Sequence, residues 1–326
     1  MTARPLDPRS PVSASDAGPR GAAALPAPRT GVPPPLALVD VDSAVRPALQ
    51  EDRAGGDLTS AHAVPDDARA VATLLTKSDG VAAGLAVFAR VFELCDPSAK
   101  VVILGRDGAR ITRGDVLVRV EGTARALLTA ERTALNFVQR MSGIATLTAR
   151  YVALARDAGM SPPRVLDTRK TTPNLRTLEK YAVRCGGGEN HRFGLFDEVM
   201  VKENHIELAG RPIQEVLADL RRAVGPGVRI TSEARDEREA RAGVDGGADV
   251  VLLDNMTPAE MARLAPILRA RAAERGRPVE LEASGGIDEH TIADVARSGV
   301  DRISVGALTH SAPALDLSLD LLPLPR

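Results

Sequence analysis

Tryptophan is absent and aromatic side chains make up only 2% of the 326 residues, so the stacking platforms that bind single-stranded nucleic acids are nearly missing. Cysteine is almost as scarce. Cys95 and Cys185 have no CxxC or CxxH partner, which removes both a disulfide framework and a zinc site and points to a reducing compartment. Charge of one sign is not in excess either: 42 Lys plus Arg face 43 Asp plus Glu, giving a net charge of −1 and no global field for DNA or a membrane surface. No stretch approaches the roughly 18 uncharged apolar residues of a membrane span. The N-terminus lacks an apolar h-region, and Asp7 and Asp16 stand where a targeting peptide avoids acids. The expectation is a cytoplasmic chain that binds neither nucleic acid nor membrane. GxSxG, P-loop, GxGxxG and HExxH patterns are also missing, so a serine nucleophile, an NTPase and a zinc peptidase have no sequence support.

What is present is an ordinary globular composition, 44% hydrophobic and 26% charged, in a length suited to two domains or one large α/β domain with an appendage. Residues 1–35 hold nine of the 23 prolines without periodicity of either kind, and predict a disordered Pro/Ala-rich tail. From Leu36 to about residue 122 a helical stretch around Val45–Leu49 and short strand-like runs at Arg69–Thr76, Val101–Leu104 and Val116–Val120 predict a small sheet domain with helical cover. Ala124–Ala158 reads as helical, with Leu128, Leu135, Val138 and Met141 near one face and a break at Ser142-Gly143.

The second half alternates. Apolar runs at Val165-Leu166, Val199–Val201, Val228–Thr231, Val250–Leu253, Val279–Leu281 and Ile303–Val305 each lead into polar residues, with helical stretches such as Ile213–Ala223, Ala259–Ala273 and His290–Arg297 between most of them. Strand then helix at this spacing predicts a (β/α) barrel of parallel strands, in which the residues just past each strand converge on one face. That face collects Arg169, Lys170 and Lys202, with His191 and Arg192 from an intervening loop. Only Glu233 and Asp254 oppose them. The chain has five lysines in all and two of them lie at these strand ends. A single strand-end cation is best read as solvated or locally paired; this many on one face imply an anionic ligand.

Ser284-Gly285-Gly286 ends one strand ahead of a helix expected to open near Asp288, and Gly306 ends the next, so glycine-bared backbone N–H groups face one point. Barrels hold phosphates there. Glu233 and Asp254 are hard oxygen ligands on neighbouring strands, suited to a hydrated Mg²⁺ that bridges phosphates. Such a site works by orientation and electrostatic stabilisation.

The runs Asp167-Thr168-Arg169-Lys170-Thr171-Thr172-Pro173, Glu179-Lys180-Tyr181-Ala182-Val183 with Gly186-Gly187-Gly188, Asn190-His191-Arg192, Lys202-Glu203-Asn204-His205 and Leu253-Asp254-Asn255 resemble those of the quinolinate phosphoribosyltransferases, also called carboxylating nicotinate-nucleotide pyrophosphorylases. Ala130–Asn136, Glu282–Gly286 and Val305–His310 extend the likeness, which covers about residue 36 to the C-terminus. Thr231 departs from the pattern, which is often acidic at that place. The resemblance implies an N-terminal α/β sandwich domain over 36–135, completed by 311–326, and an incomplete (β/α) barrel over 136–310. It implies Mg²⁺-dependent transfer from phosphoribosyl pyrophosphate to quinolinate with decarboxylation. The products would be nicotinate mononucleotide, pyrophosphate and CO₂, for NAD biosynthesis. Thr168, Arg169, Lys170, His191, Arg192 and Lys202 would bind substrate, and Ser284, Gly285, Gly286 and Gly306 the 5′-phosphate. Glu233 and Asp254 would serve the Mg²⁺–pyrophosphate and ribose. Lys170, Lys202, Glu233 and Asp254 are the catalytic candidates, the lysines as charges rather than nucleophiles. Arg132 would reach into the site of the other subunit of a homodimer. Three other readings stay open on the residues alone: a molybdenum-transport-associated paralogue of the same fold, a Schiff-base aldolase with its lysine at a strand end, and a non-catalytic phosphosugar or dicarboxylate sensor.

Overall fold

The computed structural model describes residues 33–159 and 161–325; residues 1–32, and with them most of the predicted tail, lie outside the described residues. The first domain contributes strands β1 (Arg69–Thr76), β2 (Gly80–Val81), β3 (Lys100–Ile103), β4 (Arg110–Ile111) and β5 (Val116–Thr123). Along β1 burial alternates, with Ala70, Ala72, Leu74 and Thr76 inward, as a sheet with one covered face requires. The cover is the helix Leu85–Cys95, buried through Phe88 and Phe92, together with Leu38–Arg53 and the start of a long helix, Ala124–Asp157.

That long helix is a single element of 34 residues and does not break at Ser142-Gly143. Ser142 Oγ accepts from the Ala83 N–H at 3.1 Å, which anchors the helix to the first domain. A Cβ at Gly143 would run into the carbonyl of Pro313, so this glycine is kept for close approach and not for a turn. Of the expected buried face Leu135, Val138 and Met141 are buried, but Leu128 is exposed and Leu127 takes its place.

Strands β6 (Arg164–Leu166), β7 (Val199–Val201), β8 (Ile230–Ala234), β9 (Val250–Asp254), β10 (Glu280–Ser284) and β11 (Arg302–Ser304) form one six-stranded sheet in the order β6-β11-β10-β9-β8-β7, every pair parallel. β6 and β7, consecutive in sequence, stand at opposite edges. Only a single parallel bridge, Leu166 to Glu189, continues the sheet past β6, so the barrel is incomplete. β9 is apolar throughout and buried from Val250 to Leu253, as a strand covered on both faces must be. The chain then returns to its start. β12 (Leu317–Pro323) pairs antiparallel with β1, Leu319 opposite Leu74, giving the first domain a four-stranded sheet β12-β1-β5-β3.

Candidate active site at the open end of the barrel

The C-terminal ends of the six parallel strands surround a cavity of about 680 Å³. Its walls contain Thr168, Arg169 and Lys170 after β6, His191 and Arg192 from the β6–β7 connection, Lys202 after β7, Glu233 in β8, Asp254 at the end of β9, Ser284, Gly285 and Gly286 after β10, and Gly306 after β11. Twelve of the thirteen residues singled out in the sequence therefore share one cavity. The exception is Arg132, which lines a second cavity of about 800 Å³ with Arg140, Thr172, Asn174 and Glu179.

Each position has a local cause. Asp167, fully buried, ends β6 and organises the loop that follows the long connection. It accepts from the His191 N–H at 2.9 Å and from Asn190 Nδ2 at 2.5 Å, and it pairs with the buried ammonium of Lys180, which also donates to the His191 carbonyl at 3.0 Å. Burial pushes the Asp167 carboxyl up and the Lys180 ammonium down, and the attraction between them opposes both shifts. Their result is a fixed turn that aims Arg192 into the cavity.

Arg192 donates to the Glu198 carbonyl at 3.2 Å, and burial beside the like-charged Arg169 holds its guanidinium below its ordinary range. Neither arginine, nor Lys170, has an ion-pair partner among the described residues, and the Arg169 Nε is buried without a hydrogen bond. Adjacent cations, two of them half-buried, left uncompensated by protein call for an anion. Lys202 is different: its Nζ lies 2.7 Å from Glu233 Oε2, the lysine side chain 46% exposed and the glutamate 7%. Burial raises the Glu233 carboxyl, with Asp254 adding to the rise and Lys202 opposing it.

The glycine loops are built for close approach. Gly285 has φ +95°, and a Cβ there would collide with Asn255 Oδ1; Asn255 itself is left-handed at φ 55° and donates its N–H to the Ser284 carbonyl at 2.8 Å. The helix after this loop runs Ile292–Arg297, later than the expected start near Asp288, because the Asp288 carboxylate first closes a turn by accepting from the N–H groups of His290 and Thr291, both at 2.9 Å. The glycines, not the N-terminus of that helix, therefore face the cavity, while the short helix Ala307–His310 opens in the cavity wall at Gly306. Gly306 leaves room for its neighbour: a Cβ there would come within 2.9 Å of the Lys170 Cδ.

Sequence reasoning passed over several residues. Glu282 lies two positions before Ser284 on the same face of β10 and lines the cavity floor, fully buried. Its carboxylate is 3.2 Å from His191 Nε2 and 2.7 Å from Arg302 Nε, contacts not aligned as hydrogen bonds. Burial raises this carboxyl but His191 and Arg302 outweigh it, so Glu282 stays low. An acid flanked by the apolar Leu281 and Ala283, in step with Ser284 on the strand, was the signal for it. Met200 and His310 also line the cavity. Thr231 donates to Glu198 Oε1 at 2.5 Å, so an acid lies next to the place where the sequence lacks one.

Among the described residues no cluster of three His, Cys, Asp or Glu side chains can hold a metal by itself. Glu233 and Asp254, on adjacent strands and close enough for one charge to shift the other, fit the one or two carboxylates by which Mg²⁺ is held when phosphate oxygens and water supply the rest.

Comparison with known proteins bears on the whole chain. The family model for the C-terminal domain of quinolinate phosphoribosyl transferase matches residues 144–320, and that for its N-terminal domain matches 57–142. A probable carboxylating nicotinate-nucleotide pyrophosphorylase of Bacillus subtilis is 41% identical over 271 residues, covering 83% of this chain and 90% of the relative. The chloroplastic enzyme of that name from Arabidopsis thaliana is 41% identical over 301 residues, covering 89% and 85%. The crystal structure of NadC from Streptococcus pyogenes matches with a TM-score of 0.82 at 38% identity, over 90% of this chain and all of that one.

Proposed function

The chain belongs to the quinolinate phosphoribosyltransferase family, and we propose from that membership that the cavity at the open end of its barrel joins quinolinate to phosphoribosyl pyrophosphate, with loss of CO₂, in NAD biosynthesis. The observation that carries the assignment to this cavity is the group of three cations, Arg169, Lys170 and Arg192, that have no acid partner among the described residues and face glycine loops across a single chamber.

The substrates supply the missing charge. Arg169 and Arg192 form the arm that receives the quinolinate carboxylates, with the His191 ring in its wall. Lys170 beside Gly306, with Ser284, Gly285 and Gly286, forms the arm that receives the phosphoribosyl phosphates, and Thr168 shapes the turn between them by accepting from the Lys170 N–H at 3.0 Å. Lys202 and Glu233 lie between the two arms, where bond exchange at the ribose carbon takes place. Departure of pyrophosphate builds positive charge on that carbon and negative charge on the leaving oxygens, which fixed cations stabilise. Ribosylation makes the ring nitrogen cationic, which stabilises the electron pair left on the adjacent ring carbon when its carboxylate departs as CO₂, and a proton from solvent then completes nicotinate mononucleotide. The substrate is its own electron sink, so Lys170 and Lys202 act as charges and donors. Glu233 and Asp254 would hold Mg²⁺ together with the pyrophosphate oxygens, and the ion would supply charge neutralisation for the leaving group.

Arg132, outside this cavity in its own chain, belongs in this reading to the partner's cavity in a homodimer. A cytoplasmic location belongs to the same proposal, on the ground of two free cysteines that suit a reducing compartment. The test is incubation of the purified protein with phosphoribosyl pyrophosphate, Mg²⁺ and either quinolinate or nicotinate, following nicotinate mononucleotide and CO₂. Product from quinolinate alone is expected. A folded sample that makes none, or that prefers nicotinate, overturns the assignment.

A further inference from the structure

Three consecutive side chains of the helix Arg176–Cys185 reach in three directions. Tyr181 donates its hydroxyl to Asp107 of the first domain at 2.8 Å, and Lys180 holds Asp167 and the Arg192 turn. Glu179 points elsewhere. It is 1% exposed, and it accepts from Arg140 Nε at 3.1 Å, Arg140 Nη2 at 2.9 Å, Thr172 Oγ1 at 2.8 Å and the Thr172 N–H at 3.0 Å. Arg140 also donates to the carbonyl of Ala312 at 3.0 Å and to that of Thr309, and Thr309 Oγ1 donates to the Lys170 carbonyl at 2.7 Å.

The backbone from Lys170 to Thr172 is thus held from two sides, by Thr309 at one end and Glu179 at the other, with Arg140 joining the two anchors. None of these groups bonds the Lys170 ammonium. They fix the chain from which it projects, beside Gly306.

We propose that Glu179 is a positioning residue for Lys170, acting through Thr172 and the Arg140–Thr309 bracket, and that it governs the phosphoribosyl end of the cavity and not the dicarboxylate end. The proposal rests on the functional reading above, which puts Lys170 at the phosphoribosyl phosphates. The carboxylate of Glu179 is needed because all four of its partners are donors. In Glu179→Gln the amide NH₂ must face either the Thr172 N–H or the guanidinium and hydroxyl, so one anchor is lost at constant shape. The Arg192 turn keeps its own support from Lys180 and Asp167 and is left in place.

The experiment varies each substrate in turn on the full-length enzyme. Glu179→Gln is expected to raise the KM for phosphoribosyl pyrophosphate about tenfold, while that for quinolinate changes by less than about twofold. Lys170→Ala raises the same KM, and the double variant Glu179→Gln/Lys170→Ala is no worse than Lys170→Ala, because a residue that acts through another adds nothing once the other is gone. Should Glu179→Gln fail to fold, Thr309→Val removes only the hydroxyl on the Lys170 carbonyl and is expected to give the same one-sided rise at about two- to threefold. Equal rises in both KM values, no rise, or effects that multiply in the double variant overturn the proposal. If the wild-type chain makes no product, the functional reading falls and this proposal with it; if it turns over normally while the double variant multiplies, the Glu179 assignment alone is lost.

Discussion

Both ends of the barrel gather cationic side chains, and they treat them oppositely. At the N-terminal ends of the strands each cation is matched. Arg164, Arg229 and Arg302 converge on Glu280 at 2.5, 3.0 and 3.5 Å, Arg221 pairs with Asp249, and Arg269 lies 2.9 Å from Asp301. At the C-terminal ends Arg169, Lys170 and Arg192 have no acid partner among the described residues, and the backbone takes a left-handed conformation at Asn255. One sequence with a net charge of −1 thus pairs these cations at one end and leaves three of them open at the other. Ion pairs that close on themselves give stability, and cations left open give a binding site; neither composition nor net charge distinguishes them.

Substitutions can break the comparison at either end. The largest expected effect is at the open end. Lys202→Ala or Arg192→Ala lowers kcat/KM for quinolinate at least about a hundredfold, the loss seen when a group stabilising transition-state charge is removed. The circular dichroism spectrum stays that of the wild type. Near-normal turnover in a folded variant contradicts the site. Next comes sharing between subunits: equal mixing of Arg132→Ala and Lys202→Ala chains is expected to restore about a quarter of wild-type activity, since half the dimers are mixed and each has one intact site. No recovery despite demonstrated subunit exchange removes Arg132 from the site.

The closed end answers differently. Glu280→Gln takes from Arg229 its sole acid partner among the described residues and from Arg164 and Arg302 one of two, and is expected to cost about 1 kcal/mol in denaturant unfolding, modest because Glu280 is partly solvated, with kcat/KM unchanged. A loss of turnover there would erase the distinction between the two ends. The smallest effect lies outside the barrel. Burial raises Asp96, but the Ser98 hydroxyl and N–H and the Thr123 N–H outweigh it and hold the carboxyl at about 2. A depressed carboxyl stabilises the fold above its unfolded value and loses that contribution as pH falls through the folded one. Acid unfolding below about pH 4 should therefore be shallower in Asp96→Asn, read by thermal melts across that range.

The strand–helix alternation and the glycine turns were legible in the sequence because both are local patterns, and the residues they place at strand ends reach one cavity for the same reason. The closure of the first domain by β12 came from the family resemblance rather than from periodicity. What local pattern could not show were the buried charges whose partners are remote. Glu179 meets Arg140 across 39 positions and Tyr181 meets Asp107 across 74, and nothing in a single helix announces such contacts. The Ser142-Gly143 break failed for a related cause: a glycine reserved for the distant Pro313 carbonyl looks, in sequence, like one reserved for a turn.

The central claim is that the open end of the barrel is cationic for the sake of its ligand. It is tested most directly by calorimetric titration of quinolinate into wild-type protein, Arg192→Ala and Glu280→Gln. Binding lost in Arg192→Ala and retained in Glu280→Gln is the predicted result. Undiminished binding in a folded Arg192→Ala, or equal weakening in both variants, would contradict it.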